Sequence, residues 1–316
     1  MTDFLRAPDP ATIERLLDAA AAYKTDPERD ARLGAGKTLV QLYMNPSLRT
    51  RLSTAIAAER LGMRVQTLDT GSGWALEFGD DVRMDGAAAE HVREAAAVIS
   101  QYADVIALRT FAKLTDAAED ASEPLLTAFA RHASRPLLSL ESATRHPLQS
   151  LADLLTIREL RRGERPRIVL TWAPHPRALP QAVANSFTEW TLAAGYDLTI
   201  ARPPECALDE AFAAGARQTD DQDAALADAD FVYVKNWSAT DPYGHVVEGR
   251  DDWRITAEKL RATNEARVMH CLPVRRGVVI DHAVLDSPAS AVIEQAGNRQ
   301  WAAQAALGAL LGAAQA

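Results

Sequence analysis

The stretch TLVQLYMNPSLRTRLSTAIAAERLGMRVQTL, residues 38–68, carries the pattern that decides the fold. Its first part, Thr38–Met44, is a short apolar run typical of a buried strand, and an Asn-Pro pair ends it. From Thr50 the apolar residues recur at helical spacing until Gly62, after which Arg64–Leu68 has the composition of another strand. The stretch therefore predicts a β-α-β unit, which favours a parallel sheet.

The same alternation continues on both sides of this unit. Further strands are predicted at Asp104–Arg109, Pro136–Leu140, Arg167–Trp172, Asp197–Ala201, Asp230–Val234, Arg267–Cys271 and Ala291–Glu294. Helices are predicted at Ala11–Tyr23, Asp26–Leu33, His91–Gln101, Leu125–His132, Ser150–Glu159, Leu179–Ala193 and Asp220–Ala229. The pattern predicts an α/β fold with two domains, each a mainly parallel sheet with helices on both faces. We place the domains at residues 1–145 and 146–298, and expect a helix at about 299–316 to pack back on the first domain.

Composition narrows the class of protein. A chain of 316 residues is long enough for two domains of roughly 150 residues each. Cys206 and Cys271 are too few for a disulfide framework, and the first ten residues lack a secretory signal, so a cytoplasmic location is expected. The longest apolar stretch, about Trp301–Ala314, is too short to cross a membrane. A net charge of -9 argues against non-specific nucleic-acid binding, while clustered arginines suit a small anionic substrate.

The segment Ser47–Arg51 is a candidate anion site. It lies between the first predicted strand and helix, where free backbone N–H groups and the helix dipole favour a negative charge. Arginine can grip a phosphate with two hydrogen bonds, and the Ser and Thr hydroxyls can donate more. The alternative is a serine helix cap with solvated arginines. Gly34–Thr38 resembles a P-loop only superficially, because it precedes its strand, and no Gly-x-Gly-x-x-Gly follows a strand, which argues against a nucleotide-dependent oxidoreductase.

Other polar clusters also follow predicted strands, where ligands bind in parallel sheets. Arg109 ends one strand and could face a cleft. His146 begins a helix and could donate a hydrogen bond to a carbonyl oxygen, with Gln149 one turn later on the same face. A single histidine is more often structural. Further basic groups lie in Trp172–Arg177, Lys235–Trp237 and His270–Arg276. Cys271 could be a nucleophile, but nothing indicates acyl or thioester chemistry, and its thiol could instead hydrogen-bond an incoming amine.

Together these motifs resemble the aspartate/ornithine carbamoyltransferase superfamily. The motifs SLRTR, HPLQ and HCLP occur in that family's order, and the likeness extends from Asn45 to the Asn298–Arg299 pair. Within the superfamily, the segments MNPSLRTRLST, ESATRHPLQSLADLLTI, TWAPHPRALPQAVANSF, ADFVYVKNW and MHCLPVRR are most similar to the N-succinylornithine carbamoyltransferases. The N-acetylornithine carbamoyltransferases are somewhat less similar.

The resemblance implies specific roles. Carbamoyl phosphate would be held by Ser47, Leu48, Arg49, Thr50, Arg109, Leu272, Arg299 and Trp74, the last donated by a neighbouring subunit. His146 and Gln149 would orient and polarise the carbonyl group. The ornithine derivative would contact Glu141, His175, Lys235, Cys271, Leu272 and Arg275. The residues expected to act in catalysis are Arg49, His146 and Cys271. The family works as a homotrimer, and no metal or organic cofactor is expected.

One segment is expected to choose the acceptor. Ala89 resembles the position where acetyl-specific relatives carry Glu and succinyl-specific relatives carry Pro. A glutamate there would repel the additional carboxylate of a succinyl group by about 1 to 4 kcal/mol at 4 Å. Alanine removes that charge, which favours N-succinyl-L-ornithine as the acceptor. Glu90 could replace the missing charge, or it could be a solvated carboxylate at a helix start.

The predicted reaction is attack of the neutral δ-amine on the carbamoyl carbon, with phosphate as the leaving group, in arginine biosynthesis. Positioning and electrostatic stabilisation would dominate such catalysis. N-acetyl-L-ornithine and free ornithine are alternative acceptors. A non-catalytic protein that binds carbamoyl phosphate is an alternative of a different class.

Overall fold

The structure is a computed structural model that describes residues 1–69, 74–79 and 81–313. The strands are β1 Thr38–Tyr43, β2 Arg64–Asp69, β3 Leu76–Glu77, β4 Glu90–His91, β5 Val105–Arg109, β6 Leu137–Glu141, β7 Ile168–Trp172, β8 Leu198–Ala201, β9 Arg217–Thr219, β10 Phe231–Lys235 and β11 Arg267–Met269. The α-helices are α1 Pro10–Thr25, α2 Arg49–Arg60, α3 Val92–Tyr102, α4 Ala117–Ser122, α5 Pro124–His132, α6 Pro147–Leu160, α7 Ala182–Ala193, α8 Glu210–Ala213, α9 Gln222–Leu226, α10 His282–Leu285 and α11 Val292–Ala313. Three short 3-10 helices lie at Pro204–Cys206, Asp251–Trp253 and Lys259–Ala262.

Two parallel sheets organise these elements, as the alternating pattern predicts. The first has the strand order β2-β1-β5-β6 and the second has the order β11-β10-β7-β8-β9. A separate pair, β3 and β4, forms a small two-stranded parallel sheet. The inner strands are buried along nearly their whole length, which is the usual state of parallel strands covered on both faces.

Helices cover both faces of the first sheet. Leu39 and Ala107 belong to the large core that also contains residues of α1, α2, α6 and α11. Their neighbours Val40 and Ile106 belong to a second core formed with α3 and α5. Because successive side chains of a strand point to opposite faces, this alternation places helices on both sides, as predicted.

The long helices α6 and α11 connect the two sheets. Every residue of α6 from Pro147 to Ile157 is buried, so the helix has no solvent-facing side over that length. The α11 helix contacts α6, α2 and α1. Arg60 of α2 stacks on Trp301 with 4.4 Å between the guanidinium carbon and the ring centre. The C-terminal helix thus packs on helices of the first half, although residues 314–316 of the predicted segment lie outside the described residues.

Two predicted elements are wrong, and the predicted start of a third is misplaced. Asp26–Leu33 forms turns, because α1 ends at Thr25 just before Pro27, and a residue preceding proline disfavours helical backbone. The segment Ala291–Glu294 opens α11 and is not a strand, so the C-terminal helix begins about seven residues earlier than expected. Short apolar runs do not distinguish strand from helix. The sequence also gave no signal for six short elements, which are β3, β4, β9, α4, α8 and α10.

Gly62 shows why the first β-α-β unit needs a glycine. Its φ is +80°, and a Cβ there would lie 2.4 Å from the carbonyl oxygen of Ala31. The glycine therefore ends α2 and lets the chain turn closely into β2.

The predicted domain boundary near residue 145 stays a prediction. Among the described residues, no helix is both long and apolar enough to span a membrane.

Candidate active site

Most of the predicted site residues meet in one cleft of about 640 Å³. The cleft lies where strands of both sheets end, which is the usual ligand position in parallel α/β sheets. The predicted residues that line it are Ser47, Leu48, Arg49, Thr50, Arg109, Glu141, His146, Gln149, His175, Lys235, Cys271, Leu272, Arg275 and Arg299. Residues separated by up to 252 positions in the chain therefore share one cavity, because each lies at or near a strand end or helix start.

One end of the cleft collects positive charge at the start of α2. No side chain among the described residues caps this helix, so its first N–H groups lie at the cleft without a capping oxygen. Arg49 is half-buried there, and its Nε has no hydrogen-bond partner among the described residues. Arg299 reaches over from α11, and its Nη2 donates to the Thr50 hydroxyl at 2.5 Å. Burial and the like charge of Arg49 lower the pKa of Arg299 to about 10, which still leaves it charged at neutral pH.

Arg109 brings a third guanidinium group to this end. It is buried, and its Nη1 donates to Oε2 of Glu141 at 2.5 Å. Its guanidinium also stacks on Phe111, 4.5 Å from the ring centre. With three arginines and one carboxylate facing the same space, this end of the cleft has an excess of positive charge that matches a phosphate.

His146 is held neutral beside these arginines. Burial lowers the pKa of its imidazole well below the usual value, and the charges of Arg299 and Arg109 act in the same direction. Its Nε2 lies 3.4 Å from Nη2 of Arg299 and 3.6 Å from Oε2 of Glu141. A neutral imidazole has one N–H, so His146 can donate one hydrogen bond to a polarised oxygen without acting as a cation.

The other end of the cleft carries groups suited to a polar amine substrate. The ammonium group of Lys235 donates to the carbonyl oxygen of Asn236 at 2.8 Å. Nε of Arg275 lies 3.1 Å from Nε2 of His175, and burial lowers the pKa of that histidine. Burial also raises the pKa of the Cys271 thiol, so it stays protonated and is a poor nucleophile. Cys271 can still make a weak hydrogen bond.

Three predicted residues do not line this cleft. Trp74 borders a smaller cavity of about 330 Å³, which shares Phe111 with the cleft. Its Nε1 donates to Oε2 of Glu90 at 3.0 Å, and the backbone N–H of Ala89 donates to the carbonyl of Ala75 at 2.9 Å. The small β3-β4 sheet therefore keeps Trp74, Ala89 and Glu90 together and apart from the cleft of their own chain.

Arg177 and His270, which belong to the basic clusters that follow predicted strands, also line the cleft. The sequence assigned no role to six further cleft residues, which are Pro46, Phe111, Leu179, Pro180, Val183 and Pro273. Phe111 lies two residues after the strand end at Arg109, and proximity to a strand end was the one signal that could have found it. Among the described residues, no three His, Cys, Asp or Glu side chains are grouped as a metal ion would require.

Two family models match the chain. The carbamoyl-phosphate-binding domain of the aspartate/ornithine carbamoyltransferases matches residues 4–159, and the aspartate/ornithine-binding domain of that family matches residues 180–310. The chain is 44% identical to the N-succinylornithine carbamoyltransferase of Bacteroides fragilis (strain 638R), over 98% of this chain and 99% of that protein. It is 35% identical to the N-acetylornithine carbamoyltransferase of Xanthomonas campestris pv. campestris, over 96% of this chain and 95% of that protein.

Solved structures of related proteins have the same fold. One is an N-acetyl-L-ornithine transcarbamylase variant, with a glutamate replaced by alanine, complexed with carbamyl phosphate and N-succinyl-L-norvaline. It superposes with a TM-score of 0.92 at 33% identity, covering 98% of this chain and 100% of that chain. The cleft, the order of its motifs and these matches over nearly the whole length lead to one conclusion: the chain belongs to the aspartate/ornithine carbamoyltransferase family.

Proposed function

We propose that this protein transfers the carbamoyl group of carbamoyl phosphate to the δ-amine of N-succinyl-L-ornithine, giving N-succinyl-L-citrulline and phosphate, in arginine biosynthesis. The observation that carries the proposal is the cleft in which Arg49, Arg109 and Arg299 surround the start of α2 with the neutral His146 beside them. The choice of acceptor rests on the higher identity to the N-succinylornithine enzyme than to the N-acetylornithine enzyme, 44% against 35%.

The proposed mechanism uses positioning and charge. The neutral δ-amine attacks the carbamoyl carbon, a C–N bond forms, and the tetrahedral intermediate expels phosphate as its C–O bond breaks. Arg49, Arg109 and Arg299 stabilise the departing phosphate, which accepts the proton lost by the amine. His146 donates its single hydrogen bond to the developing oxyanion. Cys271, as a thiol, contacts the incoming amine.

The orientation of Gln149 refines the role expected for it. Its amide nitrogen donates to Asp153 Oδ1 at 2.8 Å, so its carbonyl oxygen is the atom left for a ligand. A carbonyl oxygen accepts hydrogen bonds and cannot polarise another carbonyl group. We therefore propose that Gln149 accepts a hydrogen bond from the NH₂ of the carbamoyl group, leaving His146 to polarise the oxygen. The expectation that no metal or organic cofactor takes part stays a prediction.

We also propose that the protein is a homotrimer with shared active sites. Three large apolar side chains lie at intervals of four residues, Leu48 just before α2 and Leu52 and Ile56 on it, and they are 69%, 54% and 37% exposed in the single chain. An exposed apolar stripe of this length is typical of a protein interface. Trp74, which does not line its own cleft, would then enter the cleft of a neighbouring subunit.

A cytoplasmic location remains a prediction, consistent with two free, buried cysteines.

Replacing Leu52 by glutamate tests the trimer. We expect the molar mass in solution, measured by light scattering, to fall from about three times 34.3 kDa to one chain. Carbamoyl transfer should fall with it, because Trp74 would no longer reach a neighbouring cleft. The matched control is Ile293→Glu, which alters an apolar residue on α11 that is more exposed than Leu52, 72% against 54%. A fully active, monomeric wild-type protein would contradict the proposal.

The acceptor preference tests the substrate. In one assay, product formation from carbamoyl phosphate is measured with N-succinyl-L-ornithine, N-acetyl-L-ornithine and ornithine at equal concentrations. We expect a strong preference for the succinyl compound. Turnover of the acetyl compound alone would correct the acceptor and keep the reaction. Binding of carbamoyl phosphate without any turnover would favour the non-catalytic alternative.

Ala89→Glu tests the basis of this preference. Ala89 is exposed in the single chain, so a longer side chain fits without repacking. If the β3-β4 segment enters a neighbouring cleft, the added carboxylate should weaken use of N-succinyl-L-ornithine by about 1 to 4 kcal/mol, roughly 5- to 800-fold, and spare N-acetyl-L-ornithine. Ala89→Gln is the control, with the same length and no charge. The Glu90 carboxylate is held beside this position by the hydrogen bond that it accepts from Trp74.

A further inference from the structure

Asp153 is a buried carboxylate to which the sequence assigned no role. It lies on α6 one turn after Gln149 and is fully buried. Its Oδ1 accepts two hydrogen bonds, from the Gln149 amide at 2.8 Å and from the Gln295 amide at 2.7 Å. The Tyr233 hydroxyl faces the same carboxylate. The two amide donors belong to α6 and α11, so one oxygen atom connects the two helices behind the cleft.

The first of these bonds fixes the orientation of the Gln149 amide, and Gln149 lines the cleft. Gln149 is itself buried, and one of its amide hydrogens is directed to Asp153. Its carbonyl oxygen has no hydrogen-bond partner among the described residues. Without the acceptor on Asp153, the amide could turn over and present N–H groups to the ligand. A site for the NH₂ of a carbamoyl group needs the acceptor.

The second bond reaches the HCLP turn on the other side of the cleft. Gln295 holds Asp153 with its amide nitrogen, and its carbonyl oxygen accepts from the backbone N–H of His270 at 2.8 Å. Nδ1 of His270 in turn accepts from the backbone N–H of Leu272 at 2.9 Å. Leu272 has a φ of +57°, a conformation that residues other than glycine rarely adopt. The chain of bonds thus ends on a turn whose residues line the cleft.

The environment of Asp153 disfavours a purely structural explanation. Burial raises the pKa of this carboxyl group to about 7, with the neighbouring amides and Arg299 only partly offsetting the cost of the charge. No basic side chain among the described residues is hydrogen-bonded to it. An apolar residue would fill the same space without that penalty. The geometry that the carboxylate imposes on two amides explains its presence.

We propose that Asp153 is a positioning residue that sets the Gln149 carbonyl oxygen toward the carbamoyl group and, through Gln295 and His270, fixes the HCLP turn on the amine side. One buried oxygen would thereby fix the position of Gln149, which binds the carbamoyl group, relative to the HCLP turn, which binds the amine substrate. The proposal rests on the proposed carbamoyl transfer. Asp153 itself does not touch either substrate.

Steady-state kinetics of three variants test this role. We expect Asp153→Ala to lower kcat/KM for carbamoyl phosphate by about 100-fold, because misplacement of a binding group by about 1 Å has effects of that size. Asp153→Asn should stay within about tenfold of the wild type, since its carbonyl oxygen can accept the same two bonds while its NH₂ faces Tyr233. The matched control is Thr156→Val, which breaks a buried α6–α11 bond from Asn298, 3.0 Å long, that leads to no cleft residue.

Distinct results would overturn the role. If Asp153→Ala and Thr156→Val lose the same thermal stability and keep the same kcat and KM values, Asp153 is only a structural bridge. A wild-type enzyme without turnover would instead count against the proposed function. If the Asp153→Ala protein does not fold, the KM values of the Gln295→Leu variant test the proposal in its place. This substitution removes the hydrogen bonds from Gln295 to Asp153 and from His270 to Gln295 and leaves the bond between Gln149 and Asp153 in place. It should raise KM for the N-acyl ornithine about tenfold and leave KM for carbamoyl phosphate unchanged. If neither KM value changes, the proposal is refuted.

Discussion

Replacing Arg49 by alanine is expected to lower kcat/KM for carbamoyl phosphate by about 1000-fold while the protein remains folded. The Arg49 side chain lies half-buried at the start of α2. It lines the cleft together with Ser47, Thr50 and Arg299. In the proposed mechanism it contacts the phosphate as negative charge develops there. Loss of one such group in a water-poor site typically costs two to three orders of magnitude, and a phosphate is more highly charged than an oxyanion.

The same substitution should not weaken folding. Burial lowers the pKa of Arg49, and the like charge of Arg109 adds to that shift, so the guanidinium is held in the cleft at some cost. We therefore expect a melting temperature equal to or above that of the wild type. The free enzyme is the correct state for this comparison, since bound phosphate would stabilise the wild type alone.

Arg51 provides a matched control for Arg49. It belongs to the same SLRTR motif, but it pairs with Asp69, with one contact of 2.9 Å, and stacks on Tyr43 outside the cleft. We expect Arg51→Ala to change kcat/KM less than tenfold. Arg49→Lys should recover only part of the activity, because an ammonium group lacks the paired donors of a guanidinium. An Arg49→Ala enzyme as active as Arg51→Ala would refute the phosphate site.

Replacing His146 by alanine should lower kcat by about 100- to 1000-fold with little change in KM for carbamoyl phosphate. The neutral imidazole donates to the carbonyl oxygen, and this bond strengthens as the oxygen becomes an oxyanion. The interaction therefore stabilises the transition state more than the bound substrate. His132→Ala, at the end of α5 and away from the cleft, is the control and should leave both constants unchanged.

The pH dependence separates a neutral His146 from a charged one. Because burial and two nearby arginines hold its pKa well below 6.5, the imidazole stays neutral throughout the range from pH 6.5 to 9. His146 should therefore produce no change in kcat near pH 6.5. The rate should instead rise with pH as the substrate amine loses its proton. A step near pH 6.5 that disappears in the His146→Ala enzyme would contradict the neutral role.

The elements of the first sheet show what could be read from local patterns. Strand β1 and helix α2 follow from an apolar run, a proline and a helical period, all within residues 38–60. Such signals are local, and burial of both faces reinforces them. The helix predicted at Asp26–Leu33 does not form, although its composition favours a helix, because Pro27 disfavours helical backbone at the residue before it. The two-residue strands β3 and β4 are too short to show a period.

The sequence by itself determined the alternating α/β fold, the family and fourteen of the residues that line the cleft, since strand ends and short motifs mark them in the chain. Only the tertiary structure decided how those groups act on one another. The neutral state of His146 depends on burial and then on the charge of Arg299, 153 positions away, and the orientation of Gln149 depends on a carboxylate behind the cleft. Hydrogen-bond partners and buried charges are fixed by distance in space, and for these residues the distances arise only once α6 and α11 have packed together.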